Sequence, residues 1–272
     1  MIEDRVPMSE LIFLKLGGSL ITDKSRYRTP RVDVLQRAAG EIAAARRLKP
    51  DLSLVIGHGS GSYGHVPAKK YSTRAGVFTP EQWKGFAEVW RDARLLNQIV
   101  IESLAAAGLP VLAFPPSASV VATRGQVYSW DLSPLQASLQ AGLIPIVNGD
   151  VVFDLEIGGT ILSTEDVFIY LCRHLHPHQI LLAGIEPGVW ADFPGRTRLL
   201  PKITTGTLSQ ATSTLEGAEG DDVTGGMAQK VRTMISLAQE LPDLNISIFS
   251  GMEPGLIRAA LTGASPGTVI TA

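Results

Sequence analysis

Short apolar runs and longer stretches of mixed character take turns along this chain. "LIFLKLG", "LSLVIG", "LPVLAF", "LIPIVNG", "QILLAG" and "ISIFSG" have strand length, and several of them end at a glycine. Between them, residues 31–48, 79–107, 133–142, 164–175 and 225–240 carry apolar side chains at helical spacing. Strands alternating with helices in this way predict a mainly parallel sheet covered on both faces, because parallel neighbours need crossover connections. Ligands of such sheets sit at the carboxyl ends of the strands. The glycines found there are therefore the first residues to question.

Two further stretches refine the pattern. "FTPEQWKGF" reads as a helix start, with Thr79 as the cap, Pro80 at the first helical position and Gln82 three residues after the cap. "ITTGTLSQATSTLEGAEGDD", residues 203–222, is rich in Thr, Ser and Gly without periodicity and reads as a loop or lid before the helix at Gly225. The 272 residues suit one compact unit with two lobes. A formal net charge of -2 offers no general attraction to nucleic acid or an anionic membrane, which favours a small-molecule partner. The single cysteine, Cys172, cannot form an internal disulfide, and "MIEDRVPMSE" lacks the features of a signal peptide. No apolar run approaches the roughly 20 residues needed to span a bilayer. The expectation is a soluble protein of the cytoplasm.

Within "GHGSGSYGH", residues 57–65, Gly59, Gly61 and Gly64 have the spacing G-x-G-x-x-G. A dinucleotide fingerprint belongs to the first strand-to-helix turn, with an acidic residue about 20 positions on at the end of the next strand. Here the glycines follow the second strand, and Glu81, nearest in number, lies in a helix start. The G-K-S/T ending of a P-loop is absent, as are the H-R-D and D-F-G partners of a protein-kinase glycine loop. The first strand ends in a glycine turn of its own, "LKLGGSLITDK". Two successive turns of this kind suit two adjacent phosphate groups. Lys15 precedes Gly17, Gly18 and Ser19, and Lys24 follows, so turn amides and two ammonium groups can surround a polyphosphate. A lysine in an apolar strand must also find a partner once buried. Downstream, "DDVTGGMAQK" puts Gly225 and Gly226 at a helix start with Lys230 about one turn inside, which makes a further anion site.

In this order, "KLGGS", the turn at 57–64, "NGDVVFD" at 148–154 and "DDVTGGMAQK" at 221–230 resemble the amino acid kinase superfamily. "KLGGSLITDK" with "GSYGH" resembles the isopentenyl phosphate kinase family within it. The resemblance runs from Leu11 to the C-terminus. It implies an α/β fold, an open αβα sandwich, with an acceptor-binding lobe over about 11–175 and a nucleotide-binding lobe over about 176–272. It also implies ATP-dependent transfer of a phosphoryl group to isopentenyl phosphate, Mg²⁺ and a homodimer. Lys15 and Lys230 would hold the ATP phosphates, Lys24 would stabilise the transferring group, and His65 would bind the acceptor phosphate. Gly17, Gly18, Ser19, Gly61, Gly225 and Gly226 would line the polyphosphate. Ser60 and Gly61 would stand between donor and acceptor, with Gly64 and Thr164 on the acceptor side. "GIEPGVW", from Gly184, loosely matches the family's nucleotide-base segment. Ser60 occupies a position that is commonly glycine in the family's run, and Tyr63 one that is commonly Phe.

The chemistry agrees with a phosphate acceptor. A phosphate monoester is already anionic near neutral pH, so its attack needs no general base; the difficulty is repulsion from ATP, which the lysines and His65 offset. A hydroxyl acceptor would call for an Asp base. The alkyl part of isopentenyl phosphate requires an apolar slot near His65, and among Phe78, Trp83, Phe86, Val89 and Trp90 we expect Phe86 to line it. A stripe of this kind is otherwise ordinary core. A fosfomycin-type phosphonate kinase would use the same histidine on a smaller, polar acceptor, and a nucleotide-sensing module would bind ATP without transfer. His58 reads as a strand-end histidine satisfied by backbone groups. His174, His176 and His178 read as a solvated connection rather than a metal site, because no carboxylate or cysteine pair is near. Of the basic run Lys24, Arg26, Arg28 and Arg31, only Lys24 matches the family pattern, and Asp150 and Asp222 are expected to cap loops rather than hold Mg²⁺.

Overall fold

The computed structural model describes residues 10–207 and 226–272. Strand β1 (Leu11–Leu16) lies near the middle of an eight-stranded sheet, between β2 (Ser53–His58) and β9 (Gln179–Gly184), and pairs parallel with both. Beyond β2 come β6 (Ile144–Asn148) and β3 (Val111–Ala113); beyond β9 come β13 (Asn245–Ser250), β14 (Thr268–Ile270) and β12 (Lys202–Ile203). Every pairing in this sheet is parallel except β13 with β14.

Every residue of β1 is buried, as expected for a strand covered on both faces. Its alternate side chains feed different cores. Leu11 and Phe13 join the cluster formed with α6 (Thr164–Leu175) and α7 (Gly226–Glu240), whereas Ile12, Leu14 and Leu16 join the cluster formed with α2 (Val32–Leu48), part of α4 (Pro80–Ala106) and α8 (Leu256–Leu261). Lys15 has the parity of Leu11 and Phe13, so the pleat aims it at the α6 side. Helices cover both faces, giving the αβα sandwich.

The six predicted strands all form, and the predicted helices lie within a few residues of α2, α4, α5 (Ser133–Gln140), α6 and α7. The Thr79 capping box is present: Thr79 Oγ1 accepts from the Gln82 amide (3.3 Å), and Gln82 Oε1 accepts from the Thr79 amide (3.1 Å). Two readings need correction. "GSYGH" is not a turn: it opens helix α3 (Gly61–Tyr71), which follows α1 (Gly18–Ile21) in lying directly after a strand-end glycine turn. The loop expected from residue 203 begins later, because Ile203 is buried in β12 and pairs with Ile270 of β14. Thr205–Thr207 then form a 3-10 turn, and residues 208–225, with Asp222 and Gly225, lie outside the described residues.

Past Asn148 the chain leaves the main sheet. β7 (Asp150–Asp154) and β8 (Gly158–Leu162) form a four-stranded sheet with β4 (Val121–Thr123) and β5 (Gln126–Ser129), in the order β5-β4-β7-β8, and β10 (Val189–Trp190) pairs antiparallel with β11 (Leu199–Leu200) in a separate ribbon. α4 serves both sheets. Its Leu96, Val100 and Leu104 enter the core under the main sheet, while Val89 and Phe86 pack with Val151 and Ile161 of the smaller one. No described helix is long and apolar enough to cross a membrane.

Candidate active site

The strand order reverses beside β1, because β2 lies on one side of it and β9 on the other. A crevice opens at such a reversal, at the carboxyl ends of the strands. A cavity of about 350 Å³ lies there. Of the residues expected from the sequence, Lys15, Gly17, Gly18, Ser19, Lys24, Ser60, Gly61, His65, Thr164, Gly184, Gly226 and Lys230 all line it. The starts of α1, α3, α6 and α7 meet around it. The leading amides of a helix have no intrahelical acceptor and carry the positive end of its dipole, so the cavity favours an anion before any side chain is counted.

The glycines hold the two turns together. A Cβ on Gly18 would stand 2.4 Å from the Gly61 nitrogen, and Gly61 itself has φ +50, in the left-handed region. The two strand-end glycine turns therefore pack backbone on backbone. Thr22 locks the pair: its Oγ1 donates to the Gly18 carbonyl (2.7 Å) and accepts from the Ser62 amide (2.9 Å).

Lys15 finds its partner in Glu165, at the second position of α6, through a short ion pair. Burial pushes the Glu165 carboxyl up, but attraction to Lys15 and then to Lys230, with the hydrogen bond from Lys15, outweighs this and holds it below the ordinary carboxylate range. Glu165 thus gathers cations that arrive from β1 and α7. Sequence reasoning missed it. The signal was available in the requirement that a buried strand lysine be paired, together with the acidic first turn of "STED".

Thr164 is present at the cavity, but its hydroxyl donates to the His58 carbonyl (2.7 Å), which also accepts from the Gly149 amide (3.2 Å). These bonds tie the end of β2 to the start of α6 and to the joint between the two sheets. His58 itself is buried, with Nε2 donating to Asn97 Oδ1 (2.9 Å), and burial pushes its pKa down so that it stays neutral. It does not line the cavity.

A second, narrower space of about 20 Å³ continues from the first. The two share Ser60, His65, Arg74, Gly149 and Ile161; the slot adds Gly64, Ala68, Val89, Ala93 and Asp150. Phe86 lines neither. Its ring packs against Trp83 and Phe153, with centroids 5.2 and 5.4 Å away, and covers Gly159. The side chains of α4 that reach the slot are Val89 and Ala93, on the same face as Phe86 but about one and two turns further along the helix. Asp150 closes the slot and accepts from the Ser117 amide (3.2 Å), and burial raises its carboxyl to about 6.

The other acid and base candidates have structural partners. Arg28 turns away from the cavity to Asp92 of α4 (2.5 Å), which also accepts from Tyr27 (2.6 Å), so the loop carrying Lys24 is anchored to the long helix. His174 Nδ1 donates to the Tyr170 carbonyl (2.7 Å) with its ring tilted against that of Tyr170, and His176 ends α6 in the left-handed region. Among the described residues no group of His, Cys, Asp and Glu is arranged to hold a metal ion.

Lysines from β1, from the loop after α1 and from α7, four helix starts, and carboxylates Glu165 and Asp166 already paired with Lys15 and Arg74 give the described part of the cavity the character of a phosphotransferase site without a P-loop. The chain belongs to the amino acid kinase family, whose sequence pattern matches residues 10–250. Among its relatives are the isopentenyl phosphate kinases of Methanothermobacter thermautotrophicus (34% identical, covering 96% of this chain and 99% of the relative) and Methanocaldococcus jannaschii (32%, 96% and 98%). A solved isopentenyl phosphate kinase superimposes with a TM-score of 0.82 at 31% identity, covering 96% of this chain and all of that one.

Proposed function

We propose that this protein transfers the γ-phosphoryl group of ATP to isopentenyl phosphate, giving isopentenyl diphosphate and ADP. One observation carries the reading. The anion cavity opens, at His65 and Ser60, onto a slot walled by Ala68, Val89, Ala93 and Ile161. A phosphate head bearing a short hydrocarbon suits the chemistry of that junction, with its head on His65 and its tail toward the apolar side chains, which move apart to widen the slot from its about 20 Å³.

Lys15 and Lys230, held by Glu165, grip the ATP phosphates, and the amides at Gly17, Gly18, Ser19, Gly61 and Gly226 surround them. Lys24 stabilises the charge on the transferring group. An anionic oxygen of the acceptor phosphate attacks the γ-phosphorus, the bond from that phosphorus to the bridging oxygen breaks, and ADP leaves with the electron pair. No proton moves. His65 donates a hydrogen bond to the acceptor, and Ser60 lies between the two phosphates. Magnesium, when bound with ATP, neutralises phosphate charge; Glu165 is already committed to Lys15, so phosphates and water supply most of its ligands. A homodimer working in the cytoplasm completes the reading, and light scattering on the purified protein tests the first part.

The experiment is transfer from labelled ATP with Mg²⁺ to isopentenyl phosphate, dimethylallyl phosphate, fosfomycin, glutamate and uridylate in parallel. The two prenyl phosphates should be used at least tenfold better than the others. Preference for fosfomycin would reassign the slot to a polar acceptor, and ATP binding without any transfer would favour a nucleotide sensor.

A further inference from the structure

Arg74 stands at the junction of cavity and slot, and neither the sequence pattern nor the donor side of the site accounts for it. It lies in a single 3-10 turn, Thr73–Ala75, after α3. Ser72 before it is left-handed at φ 51, and Gly76 after it has φ +127, so the backbone is bent on both sides to present this residue. Thr160 of β8 fixes the turn by donating to the Arg74 carbonyl (3.0 Å).

The guanidinium is held by one edge. Its Nη2 donates to Asp166 Oδ2 (3.3 Å), and the same oxygen accepts from the Ser163 amide (2.8 Å) and hydroxyl (2.7 Å) in the cap of α6. The other terminal nitrogen, Nη1, is buried and has no hydrogen-bond partner among the described residues. The side chain as a whole is partly exposed (38%) on the wall that cavity and slot share, so a small turn of the guanidinium would bring this nitrogen to an anion there and satisfy it. Lys15, Lys24 and Lys230 line only the larger space, whereas Arg74 and His65 line both. Arg74 therefore belongs to the acceptor side.

We infer that Arg74 binds the acceptor phosphate at the junction it lines together with His65, and that this contact selects a phosphate-bearing acceptor over an alcohol or carboxylate. The planar fork is suited to this role, since one edge is oriented by Asp166 while the other meets phosphate oxygens. The first turn of α6 then sets both halves of the reaction at one spacing. Glu165 positions the donor lysine, and Asp166, the next residue, positions the acceptor arginine.

The inference rests on the proposed acceptor, so the experiment separates the two. In Arg74→Gln, the KM for isopentenyl phosphate should rise at least about 30-fold while the KM for ATP stays within about twofold; Arg74→Lys, which keeps charge but loses the fork, should fall between. Unchanged melting temperatures identify variants that fold. Should Arg74→Gln not fold, Arg74→Lys carries the test, and a KM equal to wild type refutes the assignment. Equal losses for ATP and acceptor would place Arg74 on the donor side and also refute it. Calorimetric binding of inorganic phosphate, with ADP saturating the donor side, needs no assumption about the alkyl group. Phosphate binding by wild type that is lost in Arg74→Gln supports the anion site even if isopentenyl phosphate proves not to be the acceptor. Equal phosphate affinity in the two proteins overturns it.

Discussion

On the proposed assignment, the donor and acceptor sides of the cavity are built by different means. The donor side rests on a backbone frame, helix starts and two glycine turns packed so closely that Gly18 has no room for a Cβ against Gly61, to which Lys15, Lys24 and Lys230 add charge. The acceptor side is mostly side chain, assembled from α3, α4, the small sheet and a single bent turn, with His65 and Arg74 at the junction. Polyphosphate is the same in every reaction that uses ATP, and fixed amides serve it. An acceptor differs from enzyme to enzyme, and replaceable side chains meet it. The comparison predicts that damage on the donor side lowers turnover for every acceptor, whereas damage on the acceptor side alters which acceptor is used.

The largest break should come at Glu165. Glu165→Gln leaves Lys15 and Lys230 without the carboxylate that gathers them, and kcat should fall about 100-fold or more for all acceptors alike. The free variant should also melt lower than wild type, and ATP should narrow that gap, because its phosphates replace the missing negative charge. A loss confined to the KM for isopentenyl phosphate would place Glu165 on the wrong side of the comparison. Kinetics together with thermal melts, each with and without ATP, decide this.

The same asymmetry explains what could be read from the chain alone. Lys15, the glycine turns and Lys230 announce themselves because strand-end glycines and helix starts follow directly from local sequence. Glu165 required pairing a buried strand lysine with a helix about 150 residues away, a step the pattern permits but does not force. Arg74 gave no signal at all: it owes its place to a left-handed Ser72 and to the docking of β8, neither of which has a period. Phe86 was the instructive choice. Helical spacing put Phe86 and Val89 on one face of α4, but spacing cannot say which turn of that face lies beside the slot, and Val89 and Ala93, about one and two turns beyond Phe86, are the ones that line it.

That difference leads to a paired experiment of intermediate size. Ala93→Leu fills part of the slot, so the KM for isopentenyl phosphate should rise about tenfold or more with little change for ATP. Phe86→Ala empties the aromatic cluster instead and should cost about 2 kcal/mol of stability while leaving the acceptor KM within about twofold. If Phe86→Ala instead admits longer prenyl phosphates, the slot extends into the cluster and the boundary drawn at Ile161 and Val89 must move outward.

The smallest effect concerns Asp150, where the acceptor side keeps a carboxyl in an almost dry place. Its folded pKa is raised from 3.8 to about 6, chiefly by burial, so between those values the native state holds a proton that the unfolded chain has released. Stability must then fall as pH rises from about 4 to about 6, and the penalty is fully present above that. Asp150→Asn does not titrate. Comparing urea denaturation at pH 4.5 and 7.5, wild type should lose about 1–3 kcal/mol relative to the variant over that interval. A constant offset between the two proteins reflects only how Asn fits against the Ser117 and Val151 amides, so the pH dependence of the difference is what counts. A flat difference would mean that Asp150 stays hydrated. The slot would then be wet at its closed end, and the apolar wall that distinguishes the acceptor side would stop at Ala93.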